Sequence, residues 1–428
     1  MPVHDERDLA RELLSLCMAP ARRTVEAGLS RHPEQCVVKT APLPAPSASQ
    51  PPDWDALIQL AIHQGVAPLL AVRTRHLSLP VALRERLELI YSANSLRNLR
   101  LAAEESRISA GLTAAGLRHW PLKGPGLSER LYADIGVRQV SDLDLLVEPA
   151  NLARADALLA DLGYRRNTAG QIESLSRAQE LLYVREVPST GRDTTCSALD
   201  AVSTQAPTSP SPLATRHSSL VTSFYLDLHQ RLLPYVRRDP LAARVFADGM
   251  SNENLLLYLC ANQITHRFAR LRYLCDVAAF LAREGGAVDW DKFSDTARRM
   301  PWGPGVGLAL HWAEEFSPAR VPPAVFHTLR PNPIGDLLLR RALGADAAEA
   351  ASRCRALDGP AGASVALGAA FLGRPAACGI AWRMMFPPRA YLREQTGAPA
   401  GGPLTPAYAS RLFRRIPTAL RHLLKTAP

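Results

Sequence analysis

Apolar positions recur along this chain with two periods, and the switch between them marks its organisation. From Trp54 to Gly116 the spacing is helical. Leu57, Leu60 and Ile62 open an apolar face behind Asp53, a suitable N-cap, and Leu83, Leu87, Ile90 and Tyr91, then Leu96, Leu99 and Leu101, continue it. At Leu117 the period changes. Leu117 to Lys123 is short and extended, Gly124, Pro125 and Gly126 turn the chain, and Leu127 to Tyr132 predicts one or two helical turns. The run from Ser141 to Val147 alternates between aspartate and leucine, then becomes wholly aliphatic, which predicts a strand. Pro149 suits the first position of a helix that runs to Leu162 and stops at Gly163. Leu181 to Val187 and Phe224 to His229 predict two more strands. Beyond Pro240 the helical period returns, in Leu255 to Leu259, in Leu271 to Ala282, and in a helix that begins near Val288, Asp289 and Trp290.

These elements predict an α/β (α+β) fold, a small mixed sheet flanked by helical segments before and after it. The expected division is an N-terminal helix within residues 1–30 and a proline-rich linker (together 1–52), a helical segment (53–116), a sheet-bearing core (117–239), a helical C-terminal domain (240–330) and a basic region broken by Pro and Gly (331–428). Residues 188–220 are rich in Ser, Thr, Pro and Ala and are expected to form a disordered insertion within the core. The most apolar stretch, Ala363 to Phe386, is interrupted by Arg374, Pro375 and Arg383, so a buried helical hairpin is expected there rather than a membrane span.

Composition narrows the class of protein. A chain of 428 residues with 47% hydrophobic and 21% charged positions can bury a sizeable core and is ordinary for a soluble protein. The formal charge of +10 favours anionic partners, nucleotides among them, but no dense basic run with interleaved aromatics points to a nucleic-acid groove. Seven cysteines without a C-x-x-C pair argue against a disulfide framework or a zinc site, and with an acidic N-terminus they make the cytoplasm the expected location. No P-loop, nucleophile elbow, zincin helix or dinucleotide fingerprint is present.

The chemistry concentrates on the strand from Asp142 to Val147. Alternation puts Asp142 and Asp144 on one face of an otherwise apolar strand, where two like charges raise each other's pKa unless a cation joins them. A divalent metal is the usual solution, and a solvated strand edge is the alternative. Lys123, one of only four lysines, stands beside the glycine turn and suits either a phosphate contact or a surface charge. Arg138 suits either phosphoryl stabilisation or an ion pair with Asp134 or Glu148. His229 follows Asp227 by two positions and shares its strand face, with a structural role as the simpler reading.

Taken in order, Leu122-Lys123-Gly124, Leu131-Tyr132, Arg138, Asp142-Leu143-Asp144-Leu145-Leu146-Val147 and Leu226-Asp227-Leu228-His229 resemble the uncharacterised bacterial nucleotidyltransferase family, within the DNA polymerase beta-like nucleotidyltransferase superfamily. Leu274 to Val277 and Val288 to Trp290 are similar to its helical C-terminal part, and the resemblance spans roughly residues 55 to 330. It implies a nucleotidyltransferase-type sheet and transfer of a nucleoside monophosphate from an NTP, ATP in first place, to an acceptor hydroxyl with release of pyrophosphate. Asp142, Asp144 and Asp227 would be the catalytic, metal-binding carboxylates, holding one or two Mg2+ ions. Gly124, with Lys123 and Arg138, would hold the nucleotide. The acceptor could be a small molecule, glycan, peptide or protein. Two departures stand out: Pro125 replaces the serine usual after the turn glycine, and Gln230 replaces the tryptophan usual after the strand histidine. The first motivates one alternative, an inactive nucleotide-binding regulatory module. The other alternative is a helical interaction protein of a biosynthetic gene cluster, to which the aspartate strand would be incidental.

Overall fold

The computed structural model describes residues 6–18, 52–166, 180–188, 221–233, 239–266, 268–300, 302–330, 343 and 346–350. The insertion expected over 188–220, except Pro188, and the hairpin expected over 363–386 lie outside the described residues, as does most of 331–428.

Four helices precede the sheet: α1 (Glu6–Met18), α2 (Trp54–Gln64), α3 (Ala67–Thr74) and α4 (Val81–Ala114). Asp53 caps α2 as expected, its Oδ1 accepting the Ala56 N–H at 3.1 Å. Gly65 ends that helix with φ 74°, a left-handed geometry that suits glycine. Next come β1 (His119–Pro121), α5 (Pro125–Tyr132), β2 (Leu143–Val147), α6 (Leu152–Asp161), β3 (Arg165–Arg166), β4 (Glu180–Pro188) and β5 (Val221–His229). Pro149 opens a short 3-10 turn leading into α6, rather than α6 itself. The strand β3 has no apolar period and was not expected. It exists because Arg165 and Arg166 pair antiparallel with Val184 and Tyr183 of β4. Six helices complete the described fold: α7 (Pro240–Asp248), α8 (Asn252–Thr265), α9 (Leu271–Glu284), α10 (Trp290–Arg299), α11 (Gly303–Glu314) and α12 (Pro323–Leu329). The α+β expectation therefore holds. Among the described residues, no helix is long and apolar enough to cross a membrane.

The sheet order is β1-β2-β5-β4-β3, with β2 and β5 parallel and the other pairs antiparallel. All five residues of β2 are buried because both faces of the strand are covered. Leu143, Leu145 and Val147 pack with Leu101, Ile108 and Leu112 of α4 and with Ala155 and Leu159 of α6. Leu146 belongs to the larger core shared with α8, α9 and α11. Asp144 has the parity of Leu146 and so stands on the helical side of the sheet.

The 34-residue helix α4 also organises the loop between α5 and β2. Asn94 Nδ2 donates to the carbonyls of Gly136 (2.7 Å) and Arg138 (3.0 Å), and Asn98 Nδ2 donates to those of Ile135 (2.5 Å) and Arg138 (2.8 Å). These buried amides replace water for carbonyls that no strand pairs. The loop approaches so closely that a Cβ on Gly136 would overlap Ser95 Oγ and lie 2.8 Å from Tyr91 Cε2. Gly136→Ala is therefore expected to destabilise the fold by about 1–3 kcal/mol through overpacking. Gly286→Ala, with open space around it, should be near neutral. Urea denaturation of both variants checks this, and equal midpoints would refute the clamp.

Candidate active site

The parallel register of β2 and β5 sets Asp144 opposite Asp227 and Leu146 opposite His229. Because β5 alternates, Asp227 and His229 share one face, and register places Asp144 on that face with them. Ligand atoms of Asp144, Asp227 and His229 lie within 4.8 Å of one another. His229 Nε2 stands 2.9 Å from Asp144 Oδ1. His229, for which a structural role is the simpler reading of spacing alone, thus belongs to the cluster.

Lys123 leaves β1 at the glycine turn. Its Nζ lies 3.1 Å from Asp144 Oδ1, with the Asp144 side chain 2% exposed. Burial alone would raise the pKa of Asp144, but the charge of Lys123 and the hydrogen bond from His229 outweigh it and hold the carboxyl below the usual range. Burial likewise disfavours the Lys123 ammonium, and Asp144 more than offsets that, keeping the lysine charged. Asp142 is also close enough to favour the Lys123 charge, as are the phenols of Tyr258 on α8 and Tyr273 on α9. Asp142 itself lies one residue before β2, partly exposed, and its Oδ1 accepts the Ser141 hydroxyl at 2.7 Å. It stands beside the Asp144–Asp227–His229 group rather than within it.

Gly124 adopts φ 115° at the N-cap of α5, a conformation that L side chains rarely take. A Cβ there would lie 2.7 Å from Glu105 Oε2. Pro125 occupies the first turn of α5, where a missing N–H costs little, so the Gly-Pro departure is compatible with the turn. Arg138 lies elsewhere in character. Its guanidinium is buried, with Nε 2.9 Å from Asp276 Oδ2 on α9, and Asp276 Oδ1 accepts the Tyr132 hydroxyl at 3.0 Å. Its ion-pair partner is thus Asp276, not Asp134 or Glu148. His266 stacks on Tyr273, ring centroids 4.4 Å apart.

Glu105 was missed. It projects from α4 beneath the glycine turn, and its Oε2 is buried with no hydrogen-bond partner. Burial, then the charge of Asp144, raise its pKa to about 7. A signal was present: Leu101, Glu105, Ile108 and Leu112 are spaced as one helical stripe, and a carboxylate in an apolar stripe is an anomaly.

Two outcomes follow. The folded state holds the Glu105 proton more tightly than the unfolded chain, so this carboxyl lowers stability as pH rises from about 4.5 to about 7, with no further change above. Glu105→Gln should remove that slope and leave the variant more stable than the parent at alkaline pH, by at most about 3 kcal/mol. Thermal denaturation in chelator across this range checks it, and identical slopes would count against the buried carboxyl. Separately, Arg138→Met or Asp276→Asn alone should cost about 3–5 kcal/mol by leaving a buried charge unpaired. A loss under about 1 kcal/mol would be that of an exposed pair.

A family profile described as "Uncharacterised nucleotidyltransferase" matches residues 50–318. No curated protein and no solved structure matches the chain.

Proposed function

The chain belongs to the uncharacterised nucleotidyltransferase family, and from that membership we propose that it transfers a nucleoside monophosphate from an NTP, ATP in first place, to an acceptor hydroxyl. The observation that carries this reading is the pairing of Asp144 with Asp227 on neighbouring parallel strands, with His229 in reach. Asp144 Oδ2 is buried with no hydrogen-bond partner. A buried carboxylate oxygen left without a donor suits a cation as its missing partner.

The donor set fits a divalent metal. Two carboxylates suit magnesium, and the imidazole extends the set toward manganese. Asp144 and Asp227, with His229, would hold the ion, and Asp142, one residue before β2, would join from beside them. When bound, the metal would neutralise charge developing on the phosphoryl oxygens and favour the attacking oxygen as an alkoxide.

The protein's own groups account for the rest. The acceptor oxygen bonds to the α-phosphorus, the bond from that phosphorus to the bridging oxygen breaks, and pyrophosphate leaves with the electron pair. Asp227 would take the hydroxyl proton. The turn at Gly124 leaves backbone N–H groups at the start of α5 to face phosphate oxygens, and Lys123 supplies a positive charge beside it. Arg138, locked to Asp276, acts by holding the strand approach to the helices, a positioning role rather than a direct phosphate contact. Tyr258 and Tyr273, buried on the helical side, lie near enough to Lys123 to support its charge.

Nucleotide labelled on the α-phosphate should pass label to acceptors in a small-molecule and protein extract, whereas label on the γ-phosphate should appear only in pyrophosphate. Asp144→Asn and Asp227→Asn should each lower α-label transfer by more than about 100-fold, the scale for losing one stabiliser of transition-state charge. Transfer of the γ-label instead would identify a phosphotransferase. Transfer that survives both substitutions would overturn the reading.

A further inference from the structure

We propose that Lys123 is a resident counter-ion for Asp144, which a divalent metal must displace, and that its release couples metal binding to nucleotide binding. The inference rests on the nucleotidyl-transfer reading above and adds a regulation of that same site.

Four observations support it. The Lys123 ammonium lies 3.1 Å from Asp144 Oδ1, at the carboxylate that a metal would need, and its side chain is largely buried. His229 Nε2 approaches the same oxygen, at 2.9 Å, while Oδ2 has no hydrogen-bond partner. A dication on Oδ2 stands one carboxylate's width from the ammonium on Oδ1, so the two like charges compete for one buried anion. Asp227 and His229 complete a cluster small enough for one ion. Lys123 immediately precedes Gly124, the N-cap of α5, so a modest swing of a four-carbon stem moves its charge from the carboxylate toward the phosphate side of the turn.

Charge decides the order of events. Without a metal, Asp144 is buried, and an unpaired buried carboxylate is costly, so Lys123 holds it ionised and in place. A dication arriving at the same carboxylate repels the ammonium, which can no longer stay within hydrogen-bond distance. With no nucleotide present, the displaced ammonium loses its partner in a poorly solvated place, and the metal binds weakly. A triphosphate offers the ammonium a new anion on the other side of the turn, so the metal and nucleotide favour each other. The lysine keeps its proton throughout. By linkage, whatever factor the nucleotide adds to metal affinity the metal adds to nucleotide affinity.

This arrangement makes an unusual prediction, because removing a cation from a metal site should strengthen the metal and weaken the nucleotide. Lys123→Met keeps the stem and removes the charge. Mn2+ binding, read by electron paramagnetic resonance of free ion, should be about 10-fold tighter in Lys123→Met than in the parent without nucleotide, within the usual span of coupling between two sites. Adding a non-hydrolysable ATP analogue should tighten Mn2+ binding in the parent and do so less in the variant. A second measurement needs no variant at the site. The chain has only four lysines, Lys39, Lys123, Lys292 and Lys425, so protein labelled at the lysine ε-carbons gives few signals. Lys39→Met, Lys292→Met and Lys425→Met identify three of them, and the fourth should shift on adding Mg2+ alone.

Weaker or unchanged Mn2+ binding in folded Lys123→Met overturns the counter-ion role. So does an unmoved Lys123 signal at Mg2+ saturation, and either result leaves the metal site itself standing. Failure of the parent to bind either ion, with or without nucleotide, would remove the metal reading and this inference together.

Discussion

Everything at this site depends on one buried negative charge. Asp144 sits in a strand whose five residues are all inaccessible, between aliphatic neighbours on both sides. Such a carboxylate must be met by partners that the fold itself brings, because water cannot reach it. Lys123 comes from the preceding turn and His229 from a parallel neighbour 85 residues later. The register of β2 against β5 is therefore more than sheet geometry: a slip of one residue would turn Asp227 and His229 to the opposite face and leave Asp144 without one of its two donors.

Around that charge, α4 and the helical layer act as two clamps. The helix α4 fastens the loop before β2 through Asn94 and Asn98, lines the glycine turn with Glu105, and packs its apolar stripe on the far face of the sheet. A second buried carboxylate on that helix, Glu104, accepts from Tyr164 and pairs with Arg107 and Arg185, tying α4 to β4. On the other side, the buried Arg138–Asp276 pair joins the approach to β2 with α9, and Arg130 reaches Glu284 at the end of the same helix. The carboxylates thus lie on a rigid sheet with both flanks fixed, the condition for holding reacting groups in one geometry. Glu105 breaks the local rule that helix stripes facing a core are apolar, and such breaks concentrate at functional sites.

The departures from expectation have a common cause. β3 was invisible because two exposed arginines carry no apolar period, and only the neighbouring strand makes them a strand. Arg138 was matched with nearby acids because spacing along the chain reveals local neighbours, whereas its partner lies 138 residues away. His229 could be placed on the face of Asp227 by alternation, yet nothing local could say that Asp144 stood across from them. Pro125 suggested a weakened turn when judged by the donor it lacks, and the turn accepts it because the first helical position does not need one.

What the sequence determined by itself was local: the helical and strand periods, the cap at Asp53, the glycine turn, the α+β class, and the identity of the strands that carry aspartates. Backbone geometry ties side-chain direction to spacing over a few residues, so these follow without a fold. What only the tertiary structure decided was which charges meet. The parallel pairing of β2 with β5, the seat of Lys123 on Asp144, the burial of Glu105 and the locking of Arg138 all join residues distant in the chain. Their electrostatics come from packing and exclusion of water, which no spacing along a sequence encodes.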